Sequence, residues 1–256
     1  LDWLNSSYSV GMNTNPTLEL LLSHRSIRRF TDDPVTPDDL QAAVKAGQQA
    51  STSSNIQAYS AIAVRDSKDL AKLVSLTGGQ EKVAECPLFL AICADTRRHR
   101  ILAERDGCDY QTNLEGFMLA MIDATLFAQN MCIAFESMGY GICYIGGHRN
   151  DLDGVQELLK LPIGVWPVFG LCVGRPSGES QVRPRFDPKA VLFEGKYPSD
   201  EQIAETIEEY DDRLGGWYTQ VGIDAPGWSA RMEQHFRKAH RSENARHYQE
   251  RGASFE

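Results

Sequence analysis

Five short segments carry residue types and spacings that can do chemistry. His24-Arg25-Ser26-Ile27-Arg28-Arg29-Phe30 puts four basic side chains and a hydroxyl within six residues. Arginine offers a planar fork of donors matched to phosphate oxygens, so this segment can grip a phosphate, although a solvated basic turn uses the same residues. Ser51-Thr52-Ser53-Ser54-Asn55-Ile56-Gln57 offers hydroxyls and amides to a polar ring system, or is a linker loop. Thr77-Gly78-Gly79-Gln80 is a glycine turn that can bring Gln80 against a ligand, or simply reverse the chain. Gly139-Tyr140-Gly141-Ile142-Cys143-Tyr144-Ile145-Gly146-Gly147 invites comparison with the dinucleotide fingerprint and fails it. Its third glycine would fall on Tyr144, and it follows a helical pattern rather than a strand. Gly146 and Gly147 still allow backbone to approach a flat ligand. Arg183-Pro184-Arg185 is a second phosphate clamp or a solvated loop.

Other chemistries lack their residues. There is no Gly-x-Ser-x-Gly elbow, no phosphate loop ending in Lys-Ser or Lys-Thr, and no His-Glu-x-x-His. His99 and His148 sit beside arginine in polar sequence and read as surface residues. Anion clamps, hydroxyl loops and glycine turns without acid–base machinery imply that a cofactor carries the chemistry. The six cysteines (Cys86, Cys93, Cys108, Cys132, Cys143 and Cys172) form no Cys-x-x-Cys pair and no zinc spacing. Cys93, Cys132, Cys143 and Cys172 sit inside apolar runs and read as reduced, buried and structural, with no metal site, in a cytoplasmic protein.

Composition fits that reading. Of 256 residues, 42% are hydrophobic and 24% charged, and 26 basic against 35 acidic side chains give a net charge of −9. This is the balance of a folded globular chain, and an acidic one does not bind nucleic acid non-specifically. The longest apolar stretches, Pro87 to Ala94 and Leu161 to Gly174, are too short to span a bilayer, so no membrane association is expected. Residues 1 to 15 lack the pattern of a signal peptide.

Several elements must position these segments. A helix is expected over Thr17–Ser23, and another from the Thr36 cap, with Pro37 at its first position and Asp38 and Asp39 at its positive end, to about Gln49. Ser60–Arg65 and the continuously apolar Leu88–Ala94 read as strands, with a short helix over Lys68–Leu76 between them. Glu115–Met138 is a helix apolar nearly all the way round, interrupted mainly by Asp123, Gln129, Asn130 and Glu136. Such a helix must be buried on every side, by its own sheet and by a second subunit. Ile142–Ile145 and Val165–Val173 read as strands, and Asp151–Leu161 as a helix. Beyond a Pro-rich connection over 176–190, Glu194–Asp212 carries eight acids against one lysine and reads as a solvated helix. A more basic helix is expected from about Trp228 to Gln249, as a peripheral arm.

Taken in order, HRSIRRF, STSSNIQ, TGGQ, AQNMCIAFESMGYGICYIGG and FGLCVGRP with RPR downstream resemble the FMN-dependent nitroreductase family, in its oxygen-insensitive NADPH nitroreductase and flavin reductase P branch. The similarity runs over roughly residues 17 to 220. It implies an α+β, three-layer fold with a central mixed, mainly antiparallel sheet, in an intertwined homodimer. An N-terminal arm (1–15) would precede an FMN-binding core (16–190) and a C-terminal helical extension (191–256) wrapping the partner. Carried onto this chain, the family pattern places His24, Arg25, Ser26 and Arg28 on FMN. Arg25, Arg183 and Arg185 would hold its phosphate, and Arg28 would lie beside the ring where reduction builds negative charge. Thr52, Ser53 and Ser54 would reach in from the partner subunit, with Gln57 in the same loop. Gln80, Tyr144, Ile145, Gly146 and Gly147 would bond the ring's polar edge, and Glu115 would stand beside the substrate face or serve only as a helix N-terminal acid. The implied activity is ping-pong hydride transfer from NADPH or NADH to small aromatic acceptors such as nitroaromatics, quinones or flavins. A flavin-binding sensor or storage protein, or a specialised member acting on one metabolite, is the alternative. One departure stands out. The branch carries an arginine-rich loop for the NADPH 2′-phosphate, whereas Gln220-Val221-Gly222-Ile223-Asp224-Ala225-Pro226-Gly227-Trp228 has no basic residue. NADPH selectivity is therefore weakened, or is supplied by another segment such as the C-terminal helix.

Overall fold

The computed structural model describes residues 15–110 and 113–255, so the expected N-terminal arm lies outside the described residues except for Asn15. The chain forms two compact units, one of residues 1–180 with 243–256, the other of residues 181–242.

The first unit is built on a four-stranded sheet of β1 (Tyr59–Val64), β2 (Leu88–Asp95), β3 (Gly141–Ile145) and β4 (Val165–Gly174), in the order β1-β2-β4-β3. Every pairing among the described strands is antiparallel. All of β2 is buried, as its unbroken apolar run requires. Its side chains alternate between two cores: Leu88, Leu90, Ile92 and Ala94 join one, while Phe89 and Ala91 join the other. The register between β2 and β4 shifts between Ile92 and Cys93, leaving Val168 without a partner on β2. The Val168 carbonyl instead takes a hydrogen bond from Arg149 Nη1 at 2.6 Å.

Helices cover both faces. On one side lie α2 (Pro37–Gly47) and α6 (Leu114–Ser137); on the other lie α3 (Ser67–Leu76), α4 (Lys82–Glu85) and α7 (Leu152–Leu159). Helix α1 (Pro16–Leu22) precedes them, and α5 (Arg97–Asp106) follows β2. Thr36 caps α2 through the Asp39 amide, and Asp66 caps α3 through Lys68 and Asp69, as their residue types favour. Helix α6 is long and apolar enough to cross a bilayer, but it is the core helix of this unit. Ala120, Ala124, Phe127, Ala128, Met131, Cys132 and Phe135 bury one side of it against sheet and α2. Burying Phe127, Met131 and Phe135 contributes about 1.5–3 kcal/mol each. The opposite stripe, Leu114, Met118, Ile122 and Leu126, is exposed in the single chain, as are Leu18, Leu21 and Leu22 of α1.

The C-terminal region departs from expectation. The long basic helix is two: α9 (Trp228–Phe236) and α10 (Asn244–Glu250). Residues from Glu243 onward belong to the first unit, where the Tyr248 hydroxyl donates to Pro167 O and Trp166 Nε1 to Arg251 O. The acidic helix, α8, starts later than expected and spans Asp200–Gln220. Ser199 and Gln202 set that start with a reciprocal capping box. Within the second unit, Phe186 stacks on Tyr210 at 4.2 Å and meets Trp228 edge-on.

Gly141, at the start of β3, lies under Ile27: an added Cβ would stand 2.5 Å from Ile27 Cγ1 and 2.7 Å from its Cβ. Gly141→Ala is expected to cost about 1–3 kcal/mol in urea unfolding. An unchanged midpoint would mean that Ile27 does not seat on β3.

Candidate functional site

Backbone bonds lay the basic segment beside the end of the sheet. Ile27 N donates to Ile142 O at 2.9 Å, Thr31 N to Arg175 O at 2.9 Å, and Ser177 N to Arg29 O at 3.0 Å. Ile27 is buried, whereas Arg28 and Arg29 are exposed. Edge strand β3 is thus covered by a charged segment rather than left open. Arg175, a residue whose role is not legible from its sequence, locks this junction. Its guanidinium lies over the Tyr140 ring at 3.9 Å and donates to Met138 O at 2.6 Å. Arg25 spends one donor on Ser23 O at 3.2 Å, and Arg28 makes no hydrogen bond or ion pair among the described residues. The positive charge of Arg28 favours the thiolate of Cys143 on β3, although burial holds that thiol's pKa above its ordinary value. His24 Nδ1 meets Glu136 Oε1 at 2.7 Å.

At the far end of β3 the glycine turn and the paired glycines meet. The Gln80 amide donates to Thr77 O at 2.9 Å, and Asn150 Nδ2 reaches the same carbonyl at 3.2 Å. Gly147 sits against them: an added Cβ would contact the Gln80 amide and stand 2.5 Å from Thr77 O. Around Gly146 the nearest atom to such a Cβ is 3.8 Å away, so backbone is approachable there. Ile145 is fully buried. The Tyr144 side chain points to α6, donating to Gln129 Oε1 and accepting from Cys132 Sγ, both at 3.3 Å. Only its backbone is left for a ligand. His148 corrects the surface reading: it is fully buried, and neither ring nitrogen has a partner among the described residues. His99 is half-buried, with Nε2 against Ile56 O at 2.9 Å.

The hydroxyl loop lies elsewhere. Asp123, 1% exposed in the middle of α6, takes the Ser53 amide at 3.3 Å and the Ala58 amide at 3.1 Å. An isolated acid in an apolar helix signals such a partner, although nothing in the sequence identifies it. Ser54, Asn55 and Gln57 all hold left-handed backbone, with φ of 49°, 58° and 54°. Such residues cost about 1–3 kcal/mol each and persist only where their surroundings enforce them. This loop leads into β1, whereas the basic segment borders β3. Within one chain the two clusters flank opposite edges of a four-stranded sheet, about 14 Å apart across three strand spacings, and also opposite strand ends: the loop enters level with Ala94 of β2, whereas Ile27 bonds Ile142, level with Leu88, about 20 Å away along the strands. Glu115 is exposed in the first turn of α6, where its charge suits the helix end.

Arg183 and Arg185 belong to the second unit. Arg183 stands over the Trp217 ring at 5.6 Å, and Arg185 Nη1 donates to Arg183 O at 3.0 Å. In the first unit, unspent arginine donors at one end of β3 and approachable glycine backbone with an amide at the other fit a long flat ligand that ends in an anion.

The chain matches the Nitroreductase family over residues 21–175 and the Nitroreductase family, C-terminal domain, over residues 183–256. It is 45% identical over 210 residues to FMN reductase (NADPH) of Bacillus subtilis, covering 80% of this chain and 84% of the relative. It is 41% identical over 210 residues to oxygen-insensitive NADPH nitroreductase of Salmonella typhimurium, covering 81% and 85%. Its structure resembles that of NADPH:FMN oxidoreductase from Vibrio harveyi complexed with NAD+, with a TM-score of 0.86 and 32% identity over 94% of this chain and 99% of that one.

Two predictions arise from this geometry. Asp123→Ala is expected to cost about 1–3 kcal/mol for each orphaned amide and to speed hydrogen exchange at Ser53 and Ala58; unchanged exchange there would refute the clamp. Burial, with a smaller push from Arg149, lowers the His148 pKa from 6.5 to about 4. Between those values the unfolded chain binds a proton that the folded chain refuses. Stability therefore falls as pH drops from 6.5 towards about 4, by up to about 3 kcal/mol, and levels off below. His148→Gln should remove that part of the slope in urea unfolding followed against pH; an identical slope would contradict the assignment.

Proposed function

The chain belongs to the nitroreductase family, and from that premise we propose that it is an FMN-dependent NAD(P)H oxidoreductase reducing nitroaromatics, quinones or flavins. The observation that carries the reading is the division of the residues expected to bind cofactor between opposite sheet edges. The basic segment and the Gly146–Gly147 turn of one chain form half a site, and Thr52, Ser53, Ser54 and Gln57 of a second chain complete it. The exposed apolar stripes of α6 and α1 supply the contact for such a homodimer, with one FMN in each of two clefts.

FMN, when bound, supplies the two-electron chemistry, taking a hydride from the nicotinamide and giving it up to the acceptor. The protein's residues bind and orient. Arg25 offers its remaining donors to the phosphate; the expectation for Arg183 and Arg185 rests on the resemblance and on their donor chemistry. Arg28 places a fixed positive charge where reduction builds negative charge. The backbone of Tyr144–Gly147 and the Gln80 amide hold the ring's polar edge. Glu115 stands at the mouth of the substrate face. Six free thiols suit a reducing compartment, the cytoplasm.

Weakened NADPH selectivity is the better-supported version of the missing arginine loop. Arg231 is engaged with the Tyr218 hydroxyl and Arg237 with Glu233, so these arginines of the C-terminal region are already paired. The purified protein should be yellow, bleach anaerobically with NADPH or NADH, and recover its colour with a nitroaromatic or a quinone. Rates with the two nucleotides should differ by less than about tenfold, or about 1.4 kcal/mol. A colourless protein that fails to take up FMN would overturn the activity. A hundredfold NADPH preference would overturn the selectivity alone.

A further inference from the structure

Glu136 is a carboxylate that the reading above does not use. It sits in the last turns of α6, where the helix dipole disfavours an acid, and its side chain is only 12% exposed. Its one ion-pair partner among the described residues is His24, distant in sequence, at 2.7 Å. A carboxylate only accepts, so His24 Nδ1 carries a proton, and Nε2 is the ring atom left for a ligand. The imidazole, 31% exposed, opens the basic segment directly before Arg25. A carboxylate on Nδ1 fixes the ring plane and turns Nε2 outward.

We propose that Glu136 is a positioning residue for the FMN phosphate, holding His24 so that Nε2 donates to a phosphate oxygen beside the Arg25 fork. The inference rests on the flavin reading and deepens it. Glu136 touches no ligand. It acts through His24, which turns a free-rotating imidazole into an oriented donor, and it offsets part of the positive charge that the basic segment gathers before the phosphate arrives. Because the contact is to phosphate, the pair discriminates FMN from riboflavin, which has the same ring and no anion.

The test is a binding cycle on apoprotein, titrated with FMN and with riboflavin by fluorescence quenching, for wild type, Glu136→Ala, His24→Ala and the double variant. Glu136→Ala should weaken FMN about tenfold and leave riboflavin unchanged. The double variant should bind FMN no more weakly than His24→Ala alone. Glu136→Gln, whose amide oxygen still accepts from Nδ1, should recover most of the loss. Nitrogen-15 spectra of the FMN complexes should show both His24 ring nitrogens bearing protons in wild type and Nδ1 still protonated in Glu136→Gln, whereas Glu136→Ala should lose the fixed Nδ1 proton and show a tautomer mixture. Equal losses for FMN and riboflavin, or additive losses in the double variant, would overturn the proposal. If Glu136→Ala does not fold, Glu136→Gln carries the test: a free tautomer mixture there would overturn it too. Wild type that binds neither flavin would instead sink the flavin reading itself.

Discussion

The carboxylate of Asp123, buried midway along an apolar helix, accepts the amide protons of Ser53 and Ala58, and much of the site depends on that contact. A buried acid with two backbone donors is stable only while both are in place, so helix and loop hold each other. Ser54, Asn55 and Gln57 hold left-handed backbone between these two amides, so the same contact helps to hold their strained conformations. Thirteen residues on, about 20 Å along the same helix, Glu136 binds His24. One helix therefore anchors both clusters, one at each edge of the sheet. Its exposed stripe, Leu114, Met118, Ile122 and Leu126, lies on the same rigid element. A partner docking there would be placed relative to both clusters at once, as the proposed shared site requires.

Local order was largely legible from the residues. Caps at Thr36 and Asp66 depend on neighbours two and three positions away, and the strands on runs of apolar residues, so sequence holds both. The Ser199–Gln202 box was equally local, yet the run of acids beginning at Glu194 masked it. The break between α9 and α10 carries neither proline nor glycine; residues from Glu243 onward pack on the sheet of the first unit, and that tertiary contact overrides the helical pattern.

Of the site, residue types were legible and partnerships were not. Asp123 and Glu136 showed only as interruptions of an apolar helix, because their partners lie far away in sequence. His148 looked like surface beside Arg149; in the fold, the arginine turns away to the bulge carbonyl of Val168 while the imidazole goes inward. Tyr144 read as a ring contact, yet its hydroxyl is committed to Gln129. Whether a side chain at a strand end faces a ligand or a helix depends on strand parity and on what packs behind it, and a motif records neither.

The central claim is that one chain holds only half of the flavin-binding set. Sedimentation velocity followed in the visible flavin band, across a dilution series, tests it most directly. The account predicts that flavin absorbance travels only with a two-chain species, at one FMN per chain, and is released as that species dissociates. Flavin sedimenting with a single chain would contradict it.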